Sequence, residues 1–362
     1  MNRVEFKKGI NIANELCAWT QIDGQLFLGI DNSQLLTDRD FEIFNEWKLD
    51  HIRVMVDFTV LMESTPPFKW KESGWEKVAE TIEMARRHGI GIVMDLHSTL
   101  GSEFMEGGTT NGVRNELLVN QEQQDLLCRI WEEFSVRCAG TEDFVAFEIL
   151  NEVTYDGGVG WNTVACRVID LIRSYSKERR IVYGGVKWNS VFSLKNLNIR
   201  QNDPNILYNF HFYYPQLFTH QVIQQDFSRA LINNMSGGMR WRYPGNYPML
   251  ELVEDVSNLP KRDGVPYIDR QVLHKNFLAP LYEFRKEHPD LILYCGEFGV
   301  NQYVHGSSRY NWLRDVIDAL DENNVHRAYF MYKWPGWGIM NPYDFTQYDR
   351  KLIQLLNGDK HI

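Results

Sequence analysis

Paired cysteines are missing from this chain. The five thiols, Cys17, Cys128, Cys138, Cys166 and Cys295, are odd in number, widely spaced and form no CxxC. That pattern excludes a disulfide framework and fits reduced thiols in a reducing compartment. No stretch approaches the ~18 apolar residues of a membrane-spanning helix, and residues 1–8 carry no apolar segment followed by a small-residue cleavage site. A cytoplasmic protein is the expectation. Positive charge is in deficit: 38 Lys and Arg against 48 Asp and Glu leave a net −10, which argues against nucleic acid or an anionic membrane surface as a partner. No HxH or HxxxH pair is present, so the histidine spacing offers no support for a metal. Sequence repeats and low-complexity linkers are lacking too, and one domain spanning residues 1–362 is expected.

Aromatic side chains, by contrast, are plentiful, with 11 Trp, 17 Tyr and 20 Phe. Most of them are expected in the core, but flat rings in loops also bind the apolar faces of sugars. Trp19, Trp161, Trp188, Trp241, Tyr303 and Trp337 are candidates for such platforms, with core or rim packing as the alternative.

Strand-like and helix-like patterns alternate along the chain. Gly9–Ala13, His51–Val56, Gly91–His97, Phe147–Val153, Arg180–Gly185, Ile206–Tyr213, Leu291–Gly299 and His326–Tyr332 read as strands. Helices are expected over 38–48, with Asp38 as its cap, and over 75–88, stopped by Gly89. Further helices are expected over 121–138, 161–177, 271–287, 307–323 and 351–356. Alternation of this kind means βα units and a parallel sheet. Eight units with polar residues at the strand ends choose a (β/α)8 TIM barrel, with a long insertion, 215–270, after strand six.

Two of these strands end on an acid. Phe147-Glu148-Ile149-Leu150-Asn151-Glu152 closes on Glu152, and Leu291–Gly299 carries Glu297 between glycines. Reactive groups of such barrels stand at the C-terminal strand ends, and two carboxylates there meet the needs of glycoside hydrolysis. One must deliver a proton to the leaving oxygen; the other must trap the oxocarbenium ion, roughly 5 Å away in a retaining enzyme. Glu148 shares the parity of Glu152 and reads as a structural group inside the barrel. Asn151 and Glu152 need to serve the same side although alternation would oppose them, so irregular backbone is expected there. Cys295 reads as a small core residue.

Arg53, His97 in Asp95-Leu96-His97, Asn151-Glu152, His211-Phe212-Tyr213, Gly296-Glu297-Phe298-Gly299 and Trp334 fall in the order and strand positions of the family 5 glycoside hydrolases, which this chain resembles from Gly9 to Trp334. The resemblance implies Glu152 as acid/base and Glu297 as nucleophile, with no metal or other cofactor. Arg53 and the Tyr213 hydroxyl would favour the Glu297 carboxylate. Asn151 would bind the sugar 2-hydroxyl, His97 and His211 would contact substrate or brace the acid, and Trp334 would stack under the attacked ring. Satisfied core histidines and an ordinary salt-bridge arginine are the plain alternatives. The chain departs from the family pattern at Val153, where proline is common, and at Ser98, where some relatives have histidine. Pro335 after Trp334 is expected to follow a cis bond. A retaining β-glycoside hydrolase acting on β-linked oligo- or polysaccharide follows, foremost an endo-β-1,4-glucanase. Exo-acting β-glucosidase or cellodextrinase, β-mannanase and a non-catalytic sugar-binding barrel are the alternatives.

Overall fold

A computed structural model describes residues 3–17, 35–102, 115–154, 159–221, 241–247, 259–302, 304, 306–334, 336–341 and 346–359. Eight parallel strands close into a barrel: β1 (Lys8–Leu16), β2 (His51–Asp57), β3 (Gly91–Ser98), β4 (Val145–Glu148), β5 (Arg180–Gly184), β6 (Ile206–Phe212), β10 (Ile292–Phe298) and β11 (Val325–Tyr329). Around the ring the order is β1-β11-β10-β6-β5-β4-β3-β2. Every strand expected from the sequence is present. β4, however, ends at Glu148, before the Asn-Glu pair, and β11 ends three residues short of Tyr332. Strands of a barrel are covered on both faces, which is why β3 is buried along its whole length. No helix among the described residues is long and apolar enough to cross a membrane.

Contacts divide the chain into two units. One comprises Met1–His211, Asp290–Gly296 and His326–Ala328; the other comprises Phe212–Pro289, Glu297–Val325 and Tyr329–Ile362. In the first unit, α1 (Asp38–Glu46), α2 (Glu72–His88), α3 (Gln121–Arg137) and α4 (Val159–Tyr175) follow successive strands. The cap of α1 is Thr37 rather than Asp38: the Thr37 N–H and hydroxyl both donate to Asp40, at 2.8 and 2.7 Å. Gly89, at φ 71°, ends α2 in the left-handed conformation that lets its N–H reach the last carbonyls.

The buried indoles of these helices reach the barrel. Trp131 on α3 donates to the Ile149 carbonyl at 2.9 Å, and Trp161 on α4 donates to the Gly184 carbonyl at 2.8 Å. Each satisfies a carbonyl at the end of a strand, so the helices fix where β4 and β5 stop. Trp161 is thus core and no sugar platform. Glu15 at the end of β1 is also buried: it accepts from the Leu36 N–H at 2.8 Å and from Lys77 Nζ at 2.9 Å, holding together the chain on either side of residues 18–34.

The second unit contains α5 (Ala279–Glu287), α6 (Ser307–Glu322) and α7 (Arg350–Leu356). Trp312 on α6 repeats the device, donating to the Tyr214 carbonyl at 2.8 Å. The helix expected over 271–287 is interrupted by a π turn at Leu273–Phe277, and α5 starts afresh with a proline in its first turn. The described part of the 215–270 insertion is more ordered than the sequence pattern suggested. β7 (Gly245–Asn246), β8 (Lys261–Arg262) and β9 (Val265–Ile268) form a small antiparallel sheet of order β7-β9-β8. Asp263 and Gly264, at φ 53° and 78°, make the tight turn that Asp-Gly favours between hairpin strands. Tyr243 anchors this insertion by donating to Asp315 on α6 at 2.7 Å.

Candidate active site

In the first unit the site is built on a buried cation. Arg53 on β2 is fully buried, so its charge requires partners. Its Nε and Nη2 donate to the two oxygens of Glu148, at 2.6 and 2.9 Å, a bidentate pair. Nη2 also meets Asp95 Oδ2 at 3.0 Å and donates to Asn151 Oδ1 at 2.9 Å, while Nη1 donates to Asn11 Oδ1 at 2.7 Å. Asn209 on β6 donates to Glu148 at 2.9 Å and accepts the Gly296 N–H at 2.9 Å. Two acids therefore share one guanidinium in a water-poor interior. Burial pushes both carboxyls up, Asp95 to about 7, against the opposing pull of Arg53.

This hub orients the polar residues above it. Asp95 and His97 share a face of β3, and His97 Nδ1 lies 2.7 Å from Asp95 Oδ2. The carboxylate acceptor places the ring proton on Nδ1. Nε2 is then an acceptor, facing Asn151 Nδ2 at 3.3 Å. Asn151 is held through both atoms of its amide, by Arg53 and by His97, which leaves a second Nδ2 hydrogen for a substrate hydroxyl. His97 thus braces the asparagine.

Glu152 stands in irregular backbone, as the strand parity required. Its φ is 38°, left-handed and unusual for a residue with a β-carbon. His211 on β6 meets its Oε1 through Nδ1 at 2.8 Å. The other ring nitrogen of His211 faces Asn189 Nδ2 at 3.4 Å. His211 accordingly braces the proposed acid, one of the two roles the sequence allowed it.

Glu297, the last residue but one of β10, is buried in the second unit. The Tyr213 hydroxyl donates to its Oε2 at 2.9 Å, the contact expected from the sequence. The Tyr213 ring is clasped edge-on by Trp337, His220 and Phe330, with centroids at 5.6, 5.1 and 6.1 Å. Trp337 is therefore packing for Tyr213 rather than an open sugar platform. Trp334 is half-buried, and its carbonyl accepts the Gly338 N–H at 2.8 Å. Trp188 and Trp241 are half-buried as well. Pro335, with the cis bond expected before it, and the candidate platforms Trp19 and Tyr303 lie outside the described residues.

The first unit thus joins Arg53, His97 and Asn151 in one network and pairs Glu152 with His211, and the second pairs Glu297 with Tyr213. Arg53 was expected to serve Glu297; the contacts described above engage it with Glu148, Asp95, Asn151 and Asn11. Sequence reasoning missed Asn11, Asp95, Asn209 and Asn189. For Asp95 and Asn209 the signal was available: each lies two residues before a site histidine, on the same face of its strand.

The cellulase model, glycosyl hydrolase family 5, matches residues 14–334 of the chain. The chain is 30% identical over 357 residues to Endoglucanase C of Acetivibrio thermocellus, covering 98% of each chain. It is 25% identical over 299 residues to Cellodextrinase A of Ruminococcus flavefaciens, covering 82% of this chain and 78% of that one. Its fold is similar to that of Thermotoga maritima Cel5A solved with mannotriose, with a TM-score of 0.72, 21% identity and 97% of both chains covered. A family match over most of the length, with a relative matched end to end, makes the assignment plain: this chain belongs to the cellulase family, glycosyl hydrolase family 5.

Proposed function

We propose that the chain works as one catalytic domain, a retaining endo-β-1,4-glucanase in which Glu152 is the acid/base and Glu297 the nucleophile. The observation that carries the reading is the contrast between the two carboxyls: one is bonded by an imidazole, the other by a phenolic hydroxyl. Different surroundings allow different protonation states, as the reaction requires. In the first step Glu297 attacks the anomeric carbon while Glu152 protonates the departing oxygen, so one C–O bond forms as the other breaks. The Tyr213 hydroxyl favours the Glu297 carboxylate until the glycosyl ester forms. In the second step Glu152, now a carboxylate, takes a proton from water, which attacks the same carbon and releases Glu297. Asn151 donates to the 2-hydroxyl, a contact that strengthens in the oxocarbenium-like transition state.

Two measurements test this. Proton NMR of early turnover on an aryl β-cellobioside should show the β-anomer first; an initial α-anomer would refute retention. Glu297→Ala should abolish turnover. Glu152→Ala should lose about 10²–10⁴-fold on poor leaving groups, with azide restoring turnover of activated substrates as a β-glycosyl azide. A second reading has its own support: one relative is named a cellodextrinase, and Cel5A was solved with mannotriose. Product lengths over time on polymeric and short β-glucans and β-mannans separate the two. Early mid-length products from polymer favour endo action on glucan, and stepwise release from short chains favours the second.

A further inference from the structure

Between β5 and the helical turn that follows it, three successive residues other than glycine adopt left-handed backbone: Lys187 at φ 55°, Trp188 at 56° and Asn189 at 51°. A β-carbon disfavours each of these conformations, and a run of three persists only where the surroundings hold it. Here both sides of the turn are tied to the acid. The Trp188 N–H donates to the carbonyl of Val153, the residue after Glu152, at 3.2 Å. Ser190 pairs with His211 in a short parallel bridge. The Asn189 side chain is then delivered, buried, to His211, with Nδ2 3.4 Å from Nε2. Gly184 makes room for it: a β-carbon there would stand 2.5 Å from Asn189 Oδ1.

We propose that Asn189 is a positioning residue for the acid/base step: its amide donates to His211 Nε2, keeps the imidazole neutral with its proton on Nδ1, and so leaves Glu152 able to hold a proton. The proposal rests on the reading of Glu152 as the acid. An amide hydrogen pointing at Nε2 cannot coexist with a second proton on that nitrogen. Without the amide donor the imidazolium becomes accessible, and a cation beside Glu152 favours its carboxylate. The charged groups around the imidazole make this control necessary. Glu152 faces Nδ1, Glu148 lies within electrostatic reach, and β10 brings Gly296 against the ring. Both acids would draw a second proton onto His211.

The test uses two variants at this position and a series of aryl β-cellobiosides of graded leaving-group acidity. Asn189→Asp keeps the shape and tolerates left-handed backbone but offers Nε2 an acceptor. Asn189→Gly keeps the backbone and removes the amide. Both should move the basic limb of the kcat/KM profile to lower pH, by about one unit for Asn189→Asp, which is about a tenfold loss near neutrality on poor leaving groups. Substrates with activated leaving groups, which need little protonation, should be nearly unaffected. A merely structural role would lower all substrates together and leave the limb in place. Wild-type limbs and leaving-group dependence in both variants would overturn the proposal. Failure of the underlying reading looks different: Glu152→Ala would then keep its turnover of poor leaving groups, and both conclusions would fall.

Discussion

Replacing Glu148 by Gln is the sharpest test of how the site is held. Glu148 accepts two hydrogen bonds from Arg53 and one from Asn209, at 2.6, 2.9 and 2.9 Å, inside a barrel that excludes water. Hydrogen bonds to charged groups contribute about 1.5–3 kcal/mol each, and breaking a buried ion pair typically costs about 3–5 kcal/mol. Glutamine preserves one acceptor but turns the other oxygen into a donor aimed at the guanidinium. Asp95, 3.0 Å from Arg53, remains as a counter-charge, which places the expected loss at the lower end, about 3 kcal/mol. Urea unfolding should show the midpoint falling at unchanged slope. Arg53→Met should cost at least as much, since it leaves two buried acids without a cation. The double variant Arg53→Met with Glu148→Leu should cost less than the sum of its parts. A Glu148→Gln loss under about 1 kcal/mol, or additivity within about 0.5 kcal/mol, would refute the account of this pair as the support of the site.

Removing the Tyr213 hydroxyl in Tyr213→Phe leaves the ring clasp intact and deletes the 2.9 Å bond to Glu297. kcat/KM is expected to fall about 10–100-fold with little change in thermal midpoint, the equivalent of about 1.5–3 kcal/mol; unchanged kinetics would show that the hydroxyl does nothing for Glu297. His326 on β11 should make stability depend on pH. Burial, with His51 nearby, pushes its imidazole down to about 4 from an ordinary 6.5. The unfolded chain therefore takes up this proton first, and the stability conferred by the neutral ring is complete above about 6.5 and lost as pH falls towards 4. The total is of order 3 kcal/mol. His326→Gln should flatten the stability profile in that window, and an identical slope in both proteins would contradict the assignment.

The barrel could be read from the sequence because its strands are short apolar runs closing on polar residues, a pattern that local periodicity carries. The proposed catalytic acids were legible for the same reason. What escaped was the set of groups that touch one another across the barrel. Nothing local marks Asn11 or Asn209 as partners of residues 42 and 61 positions away, and β-strand parity alone could only suggest which face they occupy. Arg53 was found, but its contacts with Glu148, Asp95, Asn151 and Asn11 were not, because they depend on which strands lie nearby. The Asp263-Gly264 hairpin was not read from the sequence, because its strands are too short to show alternation. Left-handed backbone at Lys187 and Trp188 has no signature in residue type at all.

Glu15 has a consequence for how such an enzyme could change. By receiving the Leu36 N–H at 2.8 Å beside a lysine and a threonine, at 2.9 and 3.2 Å, it fixes the two points between which residues 18–34 must run. The entropy of closing a segment grows only with the logarithm of its length, about 0.6 kcal/mol per doubling. With departure and return already pinned by a buried carboxylate, the intervening stretch can be lengthened, shortened or exchanged while the barrel keeps its register. Exchanging the stretch between positions 17 and 36 for that of a relative is therefore expected to leave the catalytic framework in place.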